Sequence, residues 1–93
     1  MAKSKKRTER KKATTGHFDH ESFLRNLSSR IKNLRKQKGF KSYELFSYDV
    51  GISRSRMSKY ESTTFDDIRL RTLLKIIDGL EMTPKGFFSE GFD

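Results

Sequence analysis

The chain has 93 residues, 32% of them hydrophobic, which fills one small core and leaves no room for a separate sensing or catalytic domain. Lys and Arg number 21 against 12 Asp and Glu, a net charge of +9 that points to a polyanionic partner, either nucleic acid or an anionic membrane surface. No apolar run nears membrane-spanning length, no apolar segment follows the N-terminal cations as in a secretory signal, and zero Cys removes disulfides, cysteine zinc sites and thiol catalysis; together these predict a cytoplasmic protein.

Residues 1–16, MAKSKKRTERKKATTG, carry seven Lys or Arg and one Glu, and no Leu, Ile, Val or aromatic residue. Such a segment buries nothing to offset its chain entropy, so a disordered basic arm is expected over 1–18, ahead of a folded domain over 19–93. Leu24, Leu27, Ile31 and Leu34 then recur at helical spacing and predict an amphipathic helix over about 20–38. Asp19 and Glu21 at its start and Lys36 and Lys38 at its end suit the helix dipole, and Gly39 suits a left-handed cap. Ser42 is the expected N-cap of a second helix, Tyr43 to Val50, with Leu45, Phe46 and Val50 inward. Gly51 permits a tight turn, and Ser53 caps a third helix over about 54–62 that turns Met57 and Tyr60 inward. Residues 62–68 read as a loop. A fourth helix over about 69–81 points Leu70, Leu73, Leu74, Ile77 and Leu80 inward. Thr83-Pro84 opens a short fifth helix carrying Phe87 and Phe88. Of Phe87, Phe88 and Phe92, two are expected to close the core and one to remain exposed.

Two short helices joined through a glycine turn, the second opening on Ser with small polar and basic side chains, form the pattern of a helix-turn-helix. In that arrangement the first helix braces the second, whose N-terminal half enters the major groove. Arg54, Ser55, Arg56 and Lys59 are the candidate base-reading residues, since Arg can donate twice to guanine O6 and N7 and Ser can serve several bases. Ser42, Tyr43, Ser53, Ser58 and Thr64 are the candidate backbone contacts, because hydroxyls and helix N-termini hold phosphates.

Three stretches in this order, LSSRIKNLRKQKG, FSYDVGISRSRMSKYE and LRTLLKIIDGLEMTPKGFF, resemble the phage-repressor and Xre-type (Cro/CI-like, lambda-repressor-like) helix-turn-helix regulators of bacteria and their viruses. The resemblance covers about residues 27–88 and implies an all-α, five-helix DNA-binding domain. It implies that Gly51, Ile52 and Ser53 form the turn and cap, that Arg54, Ser55 and Lys59 occupy base-reading positions, and that Met57 locks the recognition helix to the core. It also implies a structural bridge between Arg35 and Glu61, tying helix 1 to helix 3. Tyr43 stands where the family carries a compact polar residue, and Phe46-Ser47 where it carries Leu-Ala. Two-fold dimers read paired half-sites in this family, so a homodimer through the helix 5 region is expected, at least on DNA.

His17 and His20 with Asp19 and Glu21 have metal-like spacing, but a zinc site needs three or four ligands in one fixed place, and no metal or cofactor is expected. No spacing supports a catalytic triad, a phosphate loop or a carboxylate pair, so an enzyme is not expected. The expected function is sequence-specific binding of double-stranded DNA by a transcriptional regulator, with repression the favoured sign. Two readings stand beside it: an antitoxin-type member that binds DNA and a toxin protein, and a protein-interaction module that keeps the fold without DNA binding. Membrane binding is not expected, since the arm has no apolar anchor.

Overall fold

The structure, a computed structural model, describes residues 16–62 and 67–92. Most of the arm expected at 1–18 and part of the 62–68 loop, including Thr64, lie outside the described residues. Those residues form five helices and no strand: α1 His20–Gln37, α2 Tyr43–Val50, α3 Arg54–Tyr60, α4 Leu70–Gly79 and α5 Pro84–Phe87.

Each of the first three helices is started by a short polar side chain. Asp19 accepts a hydrogen bond from the Ser22 amide, Ser42 from Leu45 and Ser53 from Arg56. Each bond satisfies an amide that has no partner within its own helix. Thr83 does the same for α5, accepting from Gly86, with Pro84 at the first helical position. α4 starts at Arg69 without a side-chain cap.

α1 ends in a Schellman turn. The Phe40 amide donates to the Arg35 carbonyl and the Gly39 amide to the Lys36 carbonyl, with Gly39 at φ +95°. α4 closes in the same way, with the Met82 amide donating to Ile77 and the Glu81 amide to Asp78. There the left-handed residue is Glu81, at φ +61°. That turn stops α4 at Gly79 rather than at 81, the end set by the hydrophobic spacing alone.

The core is a single cluster drawn from every helix: Leu27, Ile31 and Leu34 of α1, Phe46 of α2, Met57 and Tyr60 of α3, Leu73, Ile76 and Ile77 of α4, and Phe87 of α5, with Ile52 and Leu80 from the turns. Phe87 is buried, Phe92 is half-buried against the cluster, and Phe88 is the exposed ring. α2 packs against α3 and α4, α1 against α2, and α4 against α5.

Three residues expected inward point outward. Leu45 is 58% exposed, Leu70 70% and Leu74 43%. On α2 the inward stripe is Tyr43, Phe46, Ser47 and Val50, spaced i, i+3, i+4, i+7, which turns Leu45 away. On α4 the stripe is Leu73, Ile76, Ile77 and Leu80. Ile76, not Leu74, fills the second row, and Leu70 sits in the first turn beyond the edge of the core. α3 also ends at Tyr60, two residues before the expected 62, and Glu61 is its C-cap.

Candidate nucleic-acid interface

The turn between α2 and α3 depends on one backbone conformation. Gly51 sits at φ +73°, ψ +34°, the left-handed region in which a Cβ is strained. The chain reverses there, and the Ile52 amide donates to the Ser47 carbonyl at 3.0 Å. Ile52 is buried, which anchors the turn, and Ser53 opens α3 immediately after it.

α3 is seven residues long and divides cleanly. Met57 and Tyr60, three apart, are buried, while Arg54, Ser55, Arg56, Ser58 and Lys59 are all exposed. The apolar pair fixes the helix to the core, and the rest of its circumference presents two guanidiniums, one ammonium and two hydroxyls to solvent. No apolar side chain interrupts that surface. The four residues expected to read bases therefore lie on one short helix, outside the core and accessible to a large ligand.

The far end of α3 is clamped. Arg35 Nε donates to Glu61 Oε2 at 2.7 Å and Arg35 Nη2 to Glu61 Oε1 at 2.9 Å, a two-bond fork from α1 to the C-cap of α3. Arg35 Nη1 donates to the Phe40 carbonyl at 2.7 Å, so all three guanidinium nitrogens are engaged. A second tie lies beside the first: the buried Ser28 hydroxyl donates to the Ser62 carbonyl at 2.8 Å. α1 thus holds the residues that end α3 through one charged and one neutral contact.

The expected backbone contacts fall into different settings. Ser42 is half-buried and Ser53 exposed, and each oxygen accepts the capping bond of its helix while its O–H remains available to donate. Tyr43 packs half-buried against the core, and Ser58 is exposed. Ser47, in the place of the family's alanine, is buried, and its hydroxyl donates to the Glu44 carbonyl at 2.7 Å.

Glu44, in the first turn of α2, was not among the residues singled out in the sequence. Its Oε2 lies 3.5 Å from Nη1 of Arg54, which opens α3. The pairing is not local in sequence: Glu44 and Arg54 are ten residues apart, and two long side chains meet across the fold of the helix-turn-helix. Arg30 was also missed. It donates through Nε to the Phe87 carbonyl at 2.8 Å and through Nη2 to that of Gly86 at 3.2 Å, fastening the end of α5 to α1.

Among the described residues no three of His, Asp and Glu gather where they could hold a metal ion, and no helix is long and apolar enough to cross a membrane. A surface groove of about 350 Å³ lies between the start of α1 and the C-terminal segment, lined by Phe18, Asp19, Ser22, Phe23, Asn26 and Phe92. No residue of α2 or α3 lines it.

No curated protein and no solved structure matches the chain. A family model described as a Cro/C1-type HTH DNA-binding domain matches residues 30–89, which takes in the C-terminal part of α1, the whole helix-turn-helix, α4 and α5. With a cationic α3 displayed on a five-helix core and that match across most of the fold, the chain belongs to the Cro/C1-type helix-turn-helix DNA-binding domains.

Proposed function

We propose that the protein is a sequence-specific transcriptional regulator that lays α3 in the major groove of double-stranded DNA and acts as a repressor by occluding polymerase. The observation that carries this reading is the two-sided character of α3, anchored by Met57 and Tyr60 and exposed at Arg54, Ser55, Arg56, Ser58 and Lys59. Arg54, Ser55, Arg56 and Lys59 read base edges. Ser42, Tyr43, Ser53, Ser58 and Thr64 meet phosphates and fix the register. The Arg35–Glu61 fork holds α3 at the angle it needs. The basic arm over residues 1–18, distinct from the domain over 19–93, follows the phosphate backbone and contributes affinity with little sequence information. A cytoplasmic site of action suits such a regulator.

The regulator works as a homodimer, with α5 and the C-terminal aromatic surface as the contact. A second reading, an antitoxin-type protein that also binds a protein partner, is favoured by the same surface. There Phe18 and Phe88 remain exposed, and Phe23 lies 4.9 Å from Phe92 between ring centroids. Co-expression with a candidate toxin distinguishes the two: a hetero-complex that displaces the homodimer favours the second.

Selection of bound duplexes from a random DNA pool tests the whole reading. Enrichment of a two-fold symmetric sequence with half-sites about one helical turn apart is expected. A pool that stays random after repeated rounds overturns it. Deleting residues 1–16 should flatten the dependence of log affinity on log salt, and an unchanged slope removes the arm from the interface.

A further inference from the structure

Resting on the reading of α3 as the base-reading helix, we infer that Glu44 is a specificity-determining positioning residue, which orients the Arg54 guanidinium toward a base edge and holds it off the phosphates. Arg54 is the first residue of α3 and Glu44 lies in the first turn of α2, so the carboxylate stands beside the part of α3 that goes deepest into a groove. Glu44 Oε2 and Arg54 Nη1 are 3.5 Å apart, and the side chains are 50% and 74% exposed. The first turn that carries Glu44 is set by the Ser42 cap and by the bond from the Ser47 hydroxyl to the Glu44 carbonyl. The backbone that carries the carboxylate is therefore held in a defined place.

Arginine presents donors along two edges. A carboxylate on Nη1 leaves the Nε–Nη2 edge for two parallel bonds to a guanine. It also restricts the rotation that would let the same guanidinium turn onto a phosphate. A carboxylate at a polyanion interface lowers affinity for every sequence, and it does so least where Arg54 finds the base it is aimed at. The effect of Glu44 is thus to widen the gap between correct and incorrect DNA, at a loss of absolute affinity.

The test is a double-mutant cycle on the full chain with Glu44→Gln, Arg54→Ala and the double variant. Each is titrated against the duplex selected by the wild type and against a scrambled duplex of equal composition, with thermal melting recorded for all four proteins. Arg54→Ala should lower the selected-to-scrambled affinity ratio by about tenfold, the loss of one bidentate base contact. Glu44→Gln should lower that ratio by about threefold while raising affinity for the scrambled duplex by about twofold, with melting unchanged. In the Arg54→Ala background Glu44→Gln should leave the ratio where it is. If Glu44→Gln leaves the ratio unchanged in the wild type, or lowers it equally in both backgrounds, Glu44 does not act through Arg54 and the inference fails. A wild type that shows no preference at all overturns the reading of α3 itself, a different result from a wild type that discriminates without help from Glu44.

Discussion

The two ends of α3 each carry an arginine–glutamate pair, and the pairs differ in nearly everything but composition. Arg35 and Glu61, at the C-terminal end, meet through two bonds of 2.7 and 2.9 Å with side chains 4% and 6% exposed. At the N-terminal end, Arg54 and Glu44 lie 3.5 Å apart, largely in water. An exposed pair of this kind contributes about 0–1 kcal/mol, because solvent screens the charges and two long side chains lose rotamer freedom. The buried pair is strongly held once made, since neither charge can regain water without the other leaving it. The same two residue types thus do opposite things on one helix. The buried fork helps decide where α3 sits, and the exposed pair engages its arginine through Nη1 alone, which leaves the other edge open to another ligand.

The largest expected effect separates the two pairs directly. Arg35→Ala should lower unfolding free energy by about 3–5 kcal/mol, because Glu61 is left as an uncompensated buried charge. The Phe40 carbonyl loses its donor in the same variant. Thermal or denaturant melting measures the loss, which is a large fraction of what a domain of this size has to lose. Replacing both partners, Arg35→Met with Glu61→Leu, should restore most of the stability, since no stranded charge remains. A loss near the exposed-pair range would mean that burial does not separate the two pairs.

A smaller effect is expected where α2 meets α4. A Cβ on Gly79 would run into Cγ1 of Val50, with Phe46 Cε1 behind at 3.6 Å. Val50 is β-branched and stiff at χ1, so it yields poorly. It also precedes Gly51, so pressure on it moves the helix-turn-helix away from α4. Gly79→Ala gains up to about 1 kcal/mol of helix propensity and loses about 1–3 kcal/mol to overpacking, giving a net destabilisation near 1 kcal/mol. A variant that melts above the wild type would show that the close approach is not required. The ties from α1 at Arg35 and Ser28 and the buried Met57 and Tyr60 would then suffice to set where α3 sits.

Much of this was readable in the sequence, and the parts that were not share a cause. Helix starts were legible at Ser42, Ser53 and Thr83 because a cap is a local bond between a side chain and an amide two or three residues on, whereas Asp19 was read only as a charge suited to the helix dipole and proves to be the cap of α1. The turn at Gly51 was legible for the same reason. Leu45, Leu70 and Leu74 were misplaced because hydrophobic spacing reports a stripe without its phase at the edges. Which row faces the core depends on neighbouring helices, and α4 uses Ile76 in place of Leu74. The end of α4 was hidden because Glu81, not a glycine, takes the left-handed position. Of the site, the exposed cations of α3 followed from the Met57–Tyr60 spacing. Glu44 did not, because its partner Arg54 is ten residues away and only the tight turn brings them together.

The smallest expected effect on stability, and the sharpest on the comparison, lies along the exposed face of α3. Arg56→Ala and Lys59→Ala remove exposed side chains, so unfolding free energy should change by no more than about 0.5 kcal/mol. Their effects on DNA should differ by what each side chain touches. A base-edge contact costs about 1–3 kcal/mol and relaxes preference at one position of the selected sequence. A phosphate contact weakens binding to all sequences alike and reduces the slope of log affinity against log salt by about 1. Lys59, one turn along from Ser55, is expected to behave in the first way, as is Arg56. A uniform loss for Arg56 would move it to the phosphates and leave base reading to Arg54, Ser55 and Lys59. Destabilisation by either substitution at the level expected for Arg35→Ala would erase the division between the buried and exposed parts of the helix.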